Sequence, residues 1–93
     1  MEVPSYLLKY VSNKTYNKIL KNNELIIENL VDNRVDVDLN IRHLLSLGIK
    51  NIDVIVEERL DDLLLEHKRF IKKMDKYIEK LTKEGLIDML ENS

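Results

Sequence analysis

Basic side chains recur at helical spacing in the last third of the sequence, and their chemistry is that of anion binding. Residues three or four positions apart share a face of an α-helix, and cations grouped on a face attract carboxylates or phosphates. We call these residues the basic band: Arg69, Lys72, Lys73, Lys76, Lys80 and Lys83.

Three explanations of the basic band remain open from the sequence. The band is a solvated face, favoured in part because the helix dipole stabilises cations near a helix's C-terminal end. Alternatively, it pairs with the acidic residues of a second, antiparallel copy of the same helix, or it meets an acidic protein surface or a phosphate backbone. The acidic residues in question are Glu57, Glu58, Asp61, Asp62 and Glu66.

His67 is the candidate for pH sensitivity, because an imidazole titrates near neutrality. It falls within an apolar row, where we expect a core or interface histidine with one hydrogen-bond partner. The other histidine is His43, and the two do not have the spacing of a helical zinc pair. We therefore expect no metal site.

The remaining motifs that carry chemistry are incomplete. Residues 36–40 begin like an EF-hand loop, but Ile41 stands where that loop needs Gly and Leu47 where it needs Glu. We interpret Asp38 instead as the cap of a helix. The chain has no cysteine and no glycine-rich phosphate loop. We expect neither a cofactor nor enzymatic activity.

The element that positions these residues is the stretch from Glu57 to Leu81, which contains no Gly and no Pro. Apolar residues recur there every three or four positions, as on one face of a helix. A single amphipathic helix of about 35–40 Å is predicted. Its apolar row is a candidate interface for a homodimer: Leu60, Leu64, Ile71, Met74 and Ile78.

The rest of the chain also favours helices. Breaks at Ser12-Asn13, Asn22-Asn23 and Gly48 separate short apolar segments with helical spacing. We predict an all-α fold, a small bundle of about five to six helices organised on one long C-terminal amphipathic helix. Residues 1–93 are expected to form a single helical domain.

Composition limits the class of protein. There are 15 basic and 17 acidic residues, a balance that argues against nonspecific nucleic-acid binding. The absence of cysteine fits a reducing compartment, and no apolar run reaches the ~18–20 residues of a membrane span. We expect a cytoplasmic protein without a membrane partner. The bias toward Asn and Lys suggests a bacterial or phage origin.

The segment from Leu44 to Asp53 resembles the first turn of helix-hairpin-helix DNA-binding modules. Residues 45–64 are similar to the helix pair of mitochondrial termination factor repeats. The first resemblance implies phosphate binding by the turn, but Lys50 replaces the second Gly of that motif. The second family carries a Pro where this chain has Leu60-Asp61. Neither resemblance assigns a family.

We therefore expect a small non-enzymatic interaction protein, a regulator or inhibitor that binds a protein partner through the long helix. The alternative is a nucleic-acid-associated protein that uses the basic band.

Overall fold

The computed structural model describes residues 2–92, and 78% of these residues are helical. The predicted fold class is confirmed, since the described residues form an all-α structure without strands. A short 3₁₀ helix, Ser5–Lys9, precedes six α-helices. These are α1 (Asn13–Leu20), α2 (Glu24–Asp32), α3 (Arg34–Ser46), α4 (Ile52–Glu58), α5 (Leu60–Leu63) and α6 (His67–Glu91).

Three helices begin at capping residues, and two of these, Ser12 and Asn23, lie at breaks that the sequence indicated. The side chains of Ser12, Asn23 and Asn51 accept hydrogen bonds from backbone N–H groups in the first turns of α1, α2 and α4. Each bond satisfies a donor that the helix itself leaves unpaired. Asp38, in contrast, lies inside α3 and caps no helix, so the cap interpretation was wrong.

Gly48 ends α3 as expected. Its φ of 102° lies in the left-handed region, where a residue with a Cβ is strained. The N–H of Ile49 donates to the carbonyl of Leu44 at 3.2 Å, and the N–H of Gly48 donates to that of Leu45 at 3.1 Å. This is the Schellman arrangement, and it turns the chain from α3 into α4.

The long helix differs from its predicted bounds. The predicted helix from Glu57 to Leu81 was wrong over its first ten residues, because α4 ends at Glu58 and α5 covers only Leu60–Leu63. The chain then leaves the helical conformation until α6 begins at His67. At its other end α6 runs on to Glu91, with an interruption at Thr82 (φ 65°, ψ 170°).

The core draws side chains from all seven helices. Leu7 of the 3₁₀ helix, Ile41 of α3 and Phe70 of α6 are among its fully buried members. α6 packs on α3 and α4, and α4 also contacts α1 and α5. Within residues 2–92, no helix is both long and apolar enough to cross a membrane.

Candidate interaction surface

Four cations of the basic band lie on one exposed face of α6. We call this set the basic face: Arg69, Lys72, Lys76 and Lys80. Their spacing of three, four and four residues places them along about 16 Å of helix. No carboxylate among the described residues lies within 4.0 Å of their charged atoms. The basic face is therefore free to bind an anion.

The other two residues of the band are placed differently. Lys73 is half-buried, and its ammonium donates to the carboxylate of Asp62. That hydrogen bond raises the pKa of Lys73. Lys73 thus joins α6 to α5 and is not free to meet a partner.

Lys83 is exposed but follows the interruption at Thr82, so the helical period does not set its position relative to the basic face.

The basic face is electrostatically unfavourable to α6. Lys72 and Lys76, and again Lys76 and Lys80, are like charges four residues apart, an arrangement that destabilises a helix by a few tenths of a kcal/mol per pair. Asp75 and Glu79 are exposed on the same helix, but neither approaches these lysines within 4.0 Å. Carboxylates or phosphates from outside would relieve this repulsion.

The predicted apolar interface row does not form one surface. Met74 is 1% exposed and belongs to the core. Ile71 and Ile78 of α6 are half-buried, as are Leu60 on α5 and Leu64 just after it. The break before α6 therefore divides the row between separate elements, and Met74 is covered by the chain itself.

The acidic residues that were expected to pair with the basic band in an antiparallel dimer are also separated from it. Glu57 and Glu58 end α4, Asp61 and Asp62 lie on α5, and Glu66 precedes α6. The acidic and basic groups therefore do not occupy the two ends of one helix, and the structure does not support that antiparallel pairing. A homodimer by another contact stays a prediction.

A polar cluster holds the start of α6 against α3. The amide of Asn40 is fully buried and donates to the carbonyls of Leu63 and Leu65, both at 2.9 Å. Because both amide protons are used, Asn40 Oδ1 must accept the hydrogen bond that joins it to His67 Nδ1 at 2.8 Å. His67 Nδ1 therefore carries the proton. The backbone N–H of His67 donates to Asp36 Oδ1 at 3.2 Å.

His67 is half-buried. Its ring is hydrogen-bonded to Asn40 of α3, and not to Glu66 or Asp62. Its pH sensitivity stays a prediction.

His43 has a shifted pKa, and sequence reasoning gave this residue no role. Its ring centroid lies 6.3 Å from that of His67 and 6.2 Å from that of Phe70, each edge to face. Its Nε2 is buried, and within the described part of the chain it has no hydrogen-bond partner. Burial lowers the pKa of His43, the nearby His67 lowers it further, and Asp75 opposes the shift.

The spacing of polar residues along α3 could have indicated this cluster of Asn40 and the two histidines. Asp36, Asn40 and His43 are spaced four and three residues apart, which places them on one side of α3. That side faces the start of α6.

Glu91 ties the end of α6 to the turn before α4. Its carboxylate Oε1 accepts hydrogen bonds from the backbone N–H groups of Lys50 at 2.7 Å and Asn51 at 3.0 Å. These bonds lower the pKa of Glu91. The resemblance to helix-hairpin-helix modules implied phosphate binding at this turn. Here the carboxylate of Glu91 accepts hydrogen bonds from two backbone N–H groups of the turn.

No family model, no characterised protein and no solved structure compared with this chain matches it. Among residues 2–92, no three or more His, Cys, Asp or Glu side chains are grouped so that they could hold a metal ion.

Proposed function

We propose that this protein is a small non-enzymatic regulator or inhibitor that binds an acidic surface of another protein through the basic face of α6. The observation that carries the proposal is the row of four exposed cations without an ion pair among the described residues. A cytoplasmic location and a bacterial or phage origin belong to the same proposal.

Ion pairs at such a surface contribute mainly to orientation and to the association rate. An exposed pair stabilises by about 0–1 kcal/mol, while complementary charge steers the encounter of the two proteins. Affinity then depends on apolar contact. Ile71 and Ile78 are half-buried apolar residues of the same helix, but the helical period places them on the side opposite the basic face.

A protein partner is favoured over a nucleic acid because the charge of the chain is balanced. The formal net charge is −2, and nonspecific nucleic-acid binders carry a basic excess. Asp75 and Glu79 are exposed on the same helix as the basic face and would repel a continuous phosphate backbone. A protein surface can instead match both signs of charge.

The displaced pKa values of Asp38, Glu91 and Lys73 each have a structural cause, so these three groups do not indicate a catalytic site. Asp38 has a lowered pKa chiefly because the hydroxyl of Tyr10 donates to it. Glu91 has a lowered pKa because it binds two backbone N–H groups, and Lys73 a raised one because it donates to Asp62. These groups join one element of the fold to another.

The proposal is tested by affinity purification from the native host with a matched pair of charge reversals. One variant carries Lys72→Glu and Lys76→Glu on the basic face. The control carries Lys14→Glu and Lys21→Glu, which alter exposed lysines of the α1 region by the same total charge. A partner protein should be recovered with the wild type and the control and lost with the basic-face variant. Equal recovery with all three contradicts the proposal.

The alternative function, nucleic-acid association, rests on the length of the basic face. Four cations along about 16 Å match about five phosphates of one DNA strand, which are spaced about 3.4 Å along the duplex axis. Fluorescence anisotropy with random duplex DNA over a series of salt concentrations tests it. Log affinity that falls linearly with log salt, with a slope of about −3 to −4, would favour DNA. Absence of binding at low salt removes this alternative.

A further inference from the structure

The solvent-facing side of α3 carries apolar side chains that no other element covers. Val35 is 68% exposed and Leu39 is 37% exposed. They lie one helical turn apart, so they form a short apolar ridge on one face. The opposite side of α3 faces the core through Val37 and Ile41, both fully buried. Core packing therefore does not account for Val35 and Leu39.

A cleft of about 350 Å³ lies between this ridge and the N-terminal 3₁₀ helix. Tyr6 and Lys9 of the 3₁₀ helix line it together with the two ridge residues. The hydroxyl of Tyr6 donates to the carbonyl of Leu30 at 2.6 Å, so its ring is held in place as part of the wall. The cleft is thus preformed and partly apolar, as binding sites for side chains of a partner commonly are.

The charge of the cleft is positive. Lys9, Arg34 and Arg42 line it, against Asp38 as the single carboxylate of the lining. Asp38 is already engaged, because it accepts from the hydroxyl of Tyr10 and lies 3.4 Å from Lys9 Nζ and 3.8 Å from the guanidinium of Arg42.

Arg34 is the cation of the cleft that forms no ion pair within residues 2–92. No carboxylate of the described chain lies within 4.0 Å of its guanidinium. Glu2 lines an adjoining cleft with Arg34 but forms no ion pair with it. A ligand of this cleft therefore meets a surplus of two positive charges, and one guanidinium is free for a bidentate bond to a carboxylate.

We propose that α3 and the 3₁₀ helix form a second docking surface, which binds an acidic amphipathic helix of a partner protein. Apolar side chains of that helix pack on Val35 and Leu39, and its carboxylates pair with Arg34 and its neighbouring cations. Helix-in-groove recognition uses this combination of apolar anchors at helical spacing and a charged rim. The residues are separate from the basic face of α6, so the inference does not rest on the function proposed above.

The surface is tested by selecting from a displayed library of random twelve-residue peptides on the immobilised protein. The library is first depleted on the Val35→Asp/Leu39→Asp variant, whose fold is checked by circular dichroism. We expect the selected peptides to carry Asp or Glu together with aliphatic or aromatic residues three or four positions apart. Selection of basic peptides, or of no peptides at all, overturns the proposal.

A synthetic copy of a selected peptide then locates the contact. Its Kd, measured by fluorescence anisotropy, should rise at least tenfold for Leu39→Asp and for Arg34→Glu. It should not change for Lys72→Glu/Lys76→Glu, which alters only the basic face of α6. The proposal fails if the Kd is unchanged in the first two variants or rises in the third. Sedimentation showing wild-type self-association that Leu39→Asp removes would assign the surface to a second copy and also overturn it.

Discussion

At the scale of single residues, Asn40 connects α3 to the start of α6. Its amide donates to the carbonyls of Leu63, the last residue of α5, and of Leu65, which follows α5, and its oxygen accepts from His67. The carbonyls of Leu63 and Leu65 are thus paired although the chain there is not a continuous helix. A buried polar group that loses its partner costs about 1–3 kcal/mol, so the break depends on this side chain.

Replacing Asn40 by Ala should lower the free energy of unfolding by roughly 2–4 kcal/mol, because it leaves two carbonyls and the ring Nδ1–H of His67 without their partner. Urea titration followed by circular dichroism measures the change. The control is Asn17→Ala, at an exposed position of α1, which should change stability by less than about 0.5 kcal/mol. Equal losses in the two variants would show that the Asn40 bonds contribute nothing specific.

His43 should make stability depend on pH. Its pKa in the folded protein is lowered from the ordinary value of 6.5, so the unfolded chain binds the proton more readily. The free energy of unfolding should therefore fall as pH is lowered through about 6.5. His67 and Asp75 are the titratable groups that act on this ring electrostatically.

A His43→Leu variant should show a flatter stability curve than the wild type between about pH 7.5 and 5.5. Chemical denaturation at a series of pH values gives both curves. Parallel curves would exclude His43 as the source of the pH dependence and would leave His67 to be tested by His67→Leu.

At the scale of elements, the side of α6 that faces the core differs from the side that the sequence spacing predicted. Leu63 and Phe70 are fully buried, whereas Ile71 and Ile78 are only half-buried. The predicted interface row therefore does not have the role that the spacing predicted. Phe70 packs in the core, and the predicted interface row contributes Met74 to the core.

Phe70→Ala and Ile71→Ala test this assignment at neighbouring positions of the same helix. Phe70→Ala should cost about 3–5 kcal/mol because it removes a fully buried ring, and Ile71→Ala should cost less than about 2 kcal/mol. Both substitutions end in Ala, so helix propensity affects the comparison little. Thermal and urea unfolding measure the difference, and the reverse order would place Ile71 on the core side.

At the scale of the whole molecule, one cluster of buried side chains connects the elements. It extends from Leu7 near the N-terminus to Leu90 near the end of α6. Glu91 adds a polar link between that end and the turn before α4. The helices therefore depend on one another, since none of the short ones would be stable in water by itself.

Unfolding should therefore be a single cooperative transition. Circular dichroism reports the helices, and the fluorescence of the four tyrosines reports their surroundings. The two urea curves should coincide, and separate midpoints would show that part of the molecule unfolds independently.

The same experiment addresses the predicted homodimer. A dimer that dissociates on unfolding makes the midpoint rise with protein concentration. A midpoint that is constant over a hundredfold range of concentration would exclude a dimer coupled to folding.

The sequence by itself determined the helical class and several helix boundaries, because those features depend on neighbours within about four residues. Ser12, Asn23 and Asn51 cap the first turn that follows each of them, and Gly48 supplies the left-handed conformation that ends α3. Such signals are local, so they can be recognised without knowledge of the fold.

Only the tertiary structure decided where α6 begins and which of its cations are free. Asn40 reaches carbonyls 23 and 25 residues further along the chain, and Lys73 reaches Asp62 across the break. Apolar residues at helical spacing are compatible with two packed helices as well as with one long helix. The reason is that burying an apolar face stabilises both arrangements, whether or not the helix is continuous. The hydrogen bonds that separate these cases form only when distant segments are packed together.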